Sequence, residues 1–234
     1  MNQLTDNESL ILGSYAAQLR DIADQDYIAA RMSYRASLPE PFLWQAEQAL
    51  EKYMKATCLY NQVTCKNISH GLNALIKLIN ETIVSLDIPG DSLEFITLVD
   101  YHANNRYLDY NQFVSQSIND LDAAIWFVRR YCQNWKAVER YGFVARDYCM
   151  QVIHPGIMAA PKLFRVTGGY LERVIHGRNS IQRQELLLNN QFFGNEDNPN
   201  LPNSWASFHN SAAKRYIGAD EILKRYIRIS NEPS

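Results

Sequence analysis

The stretch FLWQAEQALEKYMKATCLYNQVTCKNISHGLNAL, residues 42–75, decides the fold class of this chain. Its first part places apolar or small side chains three or four positions apart, which is the period of one helix face. These positions are Leu43, Ala46, Leu50, Tyr53 and Thr57. A loop is expected at residues 61–68, and Ser69 is a suitable N-cap for a second apolar helix. The stretch therefore predicts two packed helices joined by a short loop.

The same helical period continues along most of the chain, whereas strand patterns are weak. Further helices are expected at residues 8–37, 92–100, 112–135, 136–153, 157–192 and 209–229. Breaks that contain proline or glycine separate them, as in Leu38-Pro39-Glu40-Pro41. We therefore expect an all-α protein, a helical bundle with a helical C-terminal extension.

The boundary between these two parts is expected near residue 135. Residues 1–135 would form the bundle and residues 136–234 the extension. Within the extension, residues 194–204 are rich in asparagine and proline, a composition typical of a loop or mobile segment.

Composition excludes several classes of protein. Hydrophobic residues make up 47% of the chain and charged residues 21%, which is ordinary for a globular protein. The sequence has no uncharged apolar run of about 18 residues, so no membrane span is expected. The N-terminus lacks a signal-peptide pattern, which favours the cytoplasm. The four cysteines lack zinc-site spacing, so we expect reduced, mostly buried thiols and neither a metal nor a cofactor.

Charge is distributed unevenly along the chain. Residues 1–128 carry a net charge of −8 and residues 129–234 a net charge of +6, within an overall −2. The basic half suits phosphates, or the acidic half of a second copy. A third interpretation is that the two halves of one chain pack together.

Three motifs follow one another within residues 24–135. They are WQAEQALEKYMKATCLY at 44–60, SHGLNAL at 69–75 and NNRYLDY at 104–110. Their order and spacing resemble the HEPN domain family. That family has a QAxEKxxKA-type second helix, a His-Asp-Leu-type start to the third helix and an Arg-Tyr-x-Asp-type turn before the fourth. Gly71 stands here where aspartate is common in the family.

The resemblance implies an antiparallel up-and-down helical bundle that is often dimeric, and a role in nucleotide or RNA binding. Many members are ribonuclease toxins, which implies a toxin–antitoxin or defence-type context. The catalytic members carry an arginine, four to six further residues and then a histidine on the last bundle helix. None of the five histidines here follows an arginine at that spacing, and the nearest approach is Arg146 with His154.

A phosphate site is expected where the three motifs meet. Lys52 and Lys55 share one helix face, and lysine binds phosphate as a mobile point charge. His70 lies in the first turn of the helix expected after Ser69, where free backbone N–H groups favour an anion. Arg106 and Tyr107 would add a forked donor and a stacking ring. The opposing interpretation is structural, with these groups paired internally to neighbours such as Glu51.

The sequence thus predicts a non-catalytic HEPN-like protein that binds nucleotide or RNA, as a homodimer. Two alternatives stay open. One is a ribonuclease with a displaced site at Arg146 and His154. The other is a structural or regulatory adaptor that uses the bundle for dimerisation.

Overall fold

The computed structural model describes residues 6–68, 71–104, 118–135, 169–178, 180–194 and Arg225. Within these residues the regular structure consists of seven helices, and no strand occurs. The helices are α1 (Asp6–Arg35), α2 (Pro39–Tyr60), α3 (Leu72–Thr82), α4 (Gly90–Asn104), α5 (Ile118–Arg129), α6 (Tyr170–His176) and α7 (Ile181–Leu187). The predicted all-α class is confirmed, and the region expected to be helical at 8–37 contains one long helix, α1.

The α1–α2 hairpin is the framework of the bundle. Only residues 36–38 join the two helices, so they run antiparallel. The chain reverses at Ser37, whose φ of 57° lies in the left-handed region. Ser37 N–H donates to the Tyr34 carbonyl at 3.0 Å and Leu38 N–H to the Ser33 carbonyl at 2.9 Å. These bonds close the end of α1 before Pro39 opens α2.

The core lies between α2 and its neighbours α1, α3, α4 and α5. All five residues of the predicted apolar face of α2 are buried, from Leu43 to Thr57. Trp126 and Trp135 are buried, whereas the Trp44 side chain is 49% exposed on the outer face of the first turns of α2. Glu51 is also buried.

Two helix boundaries differ from the predicted ones. Helix α3 begins at Leu72, three residues after the expected cap Ser69, and Gly71 is its N-cap residue. Helix α5 ends at Arg129, before the predicted residue 135. Here Asn61 fixes the following turn, since it accepts a hydrogen bond from Trp135 N–H at 2.8 Å and donates one to the Gln133 carbonyl at 3.0 Å.

The C-terminal helix pair, α6 and α7, packs onto the bundle. Five side chains, from this helix pair and from the segment directly after it, belong to the same buried core as α1, α2 and α5. They are Tyr170, Leu171, Val174, Leu186 and Phe193. The Phe193 ring meets the Trp126 ring edge-on at 5.6 Å. The described part of the extension therefore shares its hydrophobic core with the bundle.

Other predictions fall on residues outside the described part of the chain. They are the helix at 136–153, most of the loop at 194–204 and most of the helix at 209–229. Among the described helices, none combines the length and apolar character needed to cross a membrane.

Candidate functional site

Lys52, the first residue of the predicted phosphate site, is held between α1 and α2. Its ammonium group donates to Asp26 Oδ2 at 2.7 Å and to Gln48 Oε1 at 2.9 Å. The Lys52 and Asp26 side chains are 22% and 26% exposed, so water reaches the pair. Burial raises the pKa of the Asp26 carboxyl, and the Lys52 ammonium partly opposes that shift. Lys52 thus has an internal carboxylate as its partner.

Lys55 is paired in the same way within α2. Its ammonium group forms an i,i+4 ion pair with Glu51, as the structural interpretation expected. Glu51 is almost fully buried, whereas 16% of the Lys55 side chain is exposed. The two lysines therefore lie three positions apart with one carboxylate each.

The start of α3 already holds an anion. Leu72 N–H donates to Asp100 Oδ1 at 2.9 Å, and Asn73 N–H donates to Asp100 Oδ2 at 3.1 Å. The Asn73 side-chain amide adds a third bond to Asp100 Oδ2 at 2.8 Å. A carboxylate from α4 thus occupies the position at which the sequence predicts an anion site.

The remaining predicted site residues lie outside the described part of the chain. They are His70, Arg106 and Tyr107 of the phosphate set, and Arg146 and His154 of the displaced ribonuclease pair. Among the described residues, no three histidine, cysteine, aspartate or glutamate side chains are grouped so that they could hold a metal ion.

Helix α5, the last described helix of the bundle, ends with the buried arginine Arg129. Arg129 Nε donates to Asp24 Oδ1 at 2.7 Å, and Arg129 Nη1 donates to Glu172 Oε1 at 2.7 Å. Its Nη2 reaches the second oxygens of both carboxylates, at 3.0 and 2.7 Å. The arginine is therefore bidentate to α1 and to α6 at once.

The environment of Arg129 removes it from solvent. Its side chain is 1% exposed and that of Asp24 is 0% exposed. Burial by itself lowers the pKa of the guanidinium, but the two carboxylates outweigh it and hold the pKa well above its ordinary value. Asp24 is in turn fixed by Tyr53 OH at 2.6 Å and by Leu171 N–H at 3.0 Å. No histidine occurs five to seven positions after Arg129 or Arg130.

Arg31 of α1 forms a second buried centre nearby. It forms an ion pair with Asp122 of α5. It also donates to the carbonyl of Glu185 at 3.0 Å and to that of Leu188 at 2.6 Å. Tyr27 OH donates to Asp122 Oδ1 at 2.6 Å. Arg31 therefore connects α1 and α5 to the end of α7.

Neither of these two arginine centres was predicted. One consists of Arg129 with Asp24 and Glu172, and the other of Arg31 with Asp122 and Glu185. One sequence signal pointed to them. Asp24, Tyr27 and Arg31 lie three and four positions apart, so two charged residues share the helix face of a buried tyrosine. A charge on a buried face requires a partner, but the sequence does not say which element supplies it.

Ion pairs join the acidic first half of the chain to the basic second half. Arg129 pairs with Asp24, Arg173 with Asp21 at 2.7 Å, and Arg225 with Glu8. All three join a basic residue of the second half to an acidic residue of α1. The interpretation that the two halves pack together is confirmed for the described residues.

Comparison with known proteins agrees with the motifs. The family model of the HEPN domain matches residues 16–135, which is about half of the chain. Neither the curated proteins nor the solved structures contain a significant match. The matched region includes α2, α3, α4 and α5, the helices that carry the described lysines and Arg129. The chain therefore belongs to the HEPN domain family.

Proposed function

We propose that this chain is a non-catalytic HEPN protein that binds nucleotide or RNA as a homodimer in the cytoplasm, in a toxin–antitoxin or defence-type context. The observation that carries the non-catalytic part is the burial of Arg129 between Asp24 and Glu172. The family match and the paired lysines of α2 motivate the binding part.

The argument against cleavage starts from what a ribonuclease needs. General acid–base catalysis requires a titratable group within hydrogen-bond reach of the reacting atoms, most often a histidine. Arg129 lies on the last described helix of the matched region, where catalytic relatives have their arginine. It is 1% exposed and bonded to two carboxylates, so its hydrogen-bonding groups face the protein interior. Its role is to hold α6 on α1 and α5.

The argument for binding rests on the strength of the lysine pairs. Partly exposed ion pairs contribute only about 0–1 kcal/mol each, because water and salt screen them. A phosphate group can therefore replace the carboxylate of Asp26 at little cost. Lys52 and Lys55 lie within one helical turn of each other, so both can approach one nucleotide.

The test measures RNA binding against salt concentration. Fluorescence anisotropy with a short labelled oligonucleotide should show an affinity that falls steeply as salt rises, since bound lysines release counterions. The Lys52→Ala/Lys55→Ala double variant should bind several-fold more weakly and with a shallower salt dependence. Lys77→Ala is the matched control, because Lys77 is also a lysine in an i,i+4 pair but lies on α3 with its side chain 76% exposed. An RNA affinity that does not change with salt, or that falls as much in Lys77→Ala as in the double variant, would contradict the site.

One observation favours a second function, a dimerisation adaptor. Both described lysines of the predicted site, and the start of α3, already have carboxylate partners. An adaptor predicts a homodimer whose thermal stability no nucleotide or RNA changes. The anisotropy experiment separates the two functions, because the adaptor gives no binding at low salt.

A further inference from the structure

The chain reverses direction directly after α2. Gln62 has a φ of 59°, in the left-handed region. Its N–H donates to the Leu59 carbonyl at 3.1 Å, and Val63 N–H donates to the Cys58 carbonyl at 2.9 Å. This pair of bonds is the Schellman arrangement that ends helices. The reversal brings Cys65 back onto the last turn of α2, beside Cys58.

The Cys58 and Cys65 thiols are in contact. Their side chains hydrogen-bond to each other, and both cysteines are free. Cys58 is fully buried and Cys65 is 2% exposed. The neighbours of Cys65, namely Thr64, Lys66 and Asn67, are exposed. Cys65 is therefore a buried residue within an exposed stretch of the loop.

The surroundings make the two thiols unequal. The hydrogen bond from Cys58 is the largest cause that lowers the pKa of the Cys65 thiol, and the positive charge of Lys55 lowers it further. Burial and the negative charge of Glu51 act in the opposite direction, and the net change is a lowered pKa. The same hydrogen bond, together with burial, raises the pKa of Cys58. Since the thiolate is the nucleophile, Cys65 is the attacking residue and Cys58 the resolving one.

We propose that Cys58 and Cys65 are a redox-active dithiol that closes to a disulfide when the protein meets hydrogen peroxide. The Cys65 thiolate attacks one peroxide oxygen, the O–O bond breaks, and the released hydroxide takes up a proton to become water. This leaves a sulfenic acid on Cys65. The Cys58 sulfur then attacks the Cys65 sulfur, Cys58 loses its proton and a second water leaves. Two thiols and one peroxide thus give one disulfide and two waters.

Closure would join the loop at residues 61–68 covalently to the last turn of α2. That loop precedes α3, and the positive charge of Lys55 is one of the causes that lower the pKa of the Cys65 thiol. Oxidation removes the partial negative charge of that sulfur. The dithiol therefore places a redox-dependent group directly next to one lysine of the proposed phosphate site, although its chemistry does not depend on that site.

Peptide mapping of the full chain tests the proposal. Native protein is treated with hydrogen peroxide, its remaining free thiols are blocked with iodoacetamide, and it is digested with trypsin. Lys55 and Lys66 flank both cysteines, so they leave on one peptide, residues 56–66. The expected product is this peptide lighter by two hydrogen atoms and without alkyl groups. Dithiothreitol treatment before blocking should restore the doubly alkylated form.

Cys132 is the matched control within the same molecule. Burial raises the pKa of its thiol to about 12, and its sulfur donates to the Tyr53 carbonyl at 3.1 Å. Cys132→Ser and Cys149→Ser should keep the oxidised peptide, whereas Cys65→Ser should lose it. The wild-type map alone decides the matter if a variant fails to fold. A peptide 56–66 that remains doubly alkylated, that pairs with Cys132 or Cys149, or that carries only a sulfinic acid would overturn the proposal.

Discussion

The cations of the buried arginine centres and those of the α2 surface have opposite environments. The Arg31 and Arg129 side chains are 0% and 1% exposed, whereas those of Lys52 and Lys55 are 22% and 16% exposed. Arginine can serve two carboxylates with one planar group, so its charge can be satisfied inside the protein. Lysine is a point charge on a flexible stem and is matched here by one carboxylate.

This difference separates structure from function in the bundle. Each buried arginine joins helices that are far apart in sequence, and removing it would leave carboxylates stranded without a cation. The Lys52–Asp26 pair is partly exposed and contributes little to stability, so a phosphate can exchange with the Asp26 carboxylate.

The largest effect is expected from Arg129→Met. The variant leaves Asp24 and Glu172 buried without their cation, so the free energy of unfolding should fall by about 3–5 kcal/mol. Urea denaturation followed by circular dichroism measures this change. Lys77→Met is the control, since that exposed pair should change stability by less than about 0.5 kcal/mol. A loss below about 1 kcal/mol in Arg129→Met would mean that the buried centre does not hold the fold together.

Arg31→Met should have a smaller and more local effect. Arg35 keeps part of the connection, because its guanidinium donates to Glu185 Oε1 at 2.7 Å and to the Leu188 carbonyl at 3.1 Å. We expect a loss of about 2–3 kcal/mol, below the full cost of breaking a buried pair. Hydrogen exchange should become faster in residues 181–194 before it does so in α2. Uniform acceleration throughout the chain would show that Arg31 has no specific role at α7.

Asp26→Asn should strengthen RNA binding. It removes the carboxylate partner of Lys52 but retains the hydrogen bond to Gln48. Losing a competing ion pair of about 0.2–1 kcal/mol corresponds to an affinity gain of up to about five-fold. Anisotropy titration at low salt measures it, with Glu81→Gln, which removes the partner of Lys77, as the control. Equal gains in both variants would indicate a nonspecific charge effect.

The smallest effect is expected at the α1–α2 turn, which contains neither set of cations. Ser37 is exposed and has a positive φ, a conformation that glycine adopts without steric cost. Ser37→Gly should therefore raise stability by about 0.5–1 kcal/mol, seen as a higher melting temperature. Ala36→Gly is the matched control and should lower it. If both substitutions lower the melting temperature, the turn geometry described above is wrong.

The parts of the fold that depend on local sequence were predictable. The buried face of α2 follows from spacing alone, and the i,i+4 pair of Lys55 with Glu51 follows from helix geometry. The buried centres were not predictable, because Arg31 and Asp122 are 91 positions apart and Arg129 and Asp24 are 105 apart. The start of α3 was misplaced for the same reason, since its capping carboxylate, Asp100, comes from another helix.

The central claim is that Arg129 is structural and that this chain binds RNA without cutting it. The integrity of bound RNA tests this claim most directly. End-labelled RNA is incubated with the purified wild-type protein, captured with it and examined on a denaturing gel. We expect the captured RNA to be full-length. Fragments that the wild type produces, and that the His154→Ala variant does not, would contradict this account and favour a ribonuclease with a displaced site.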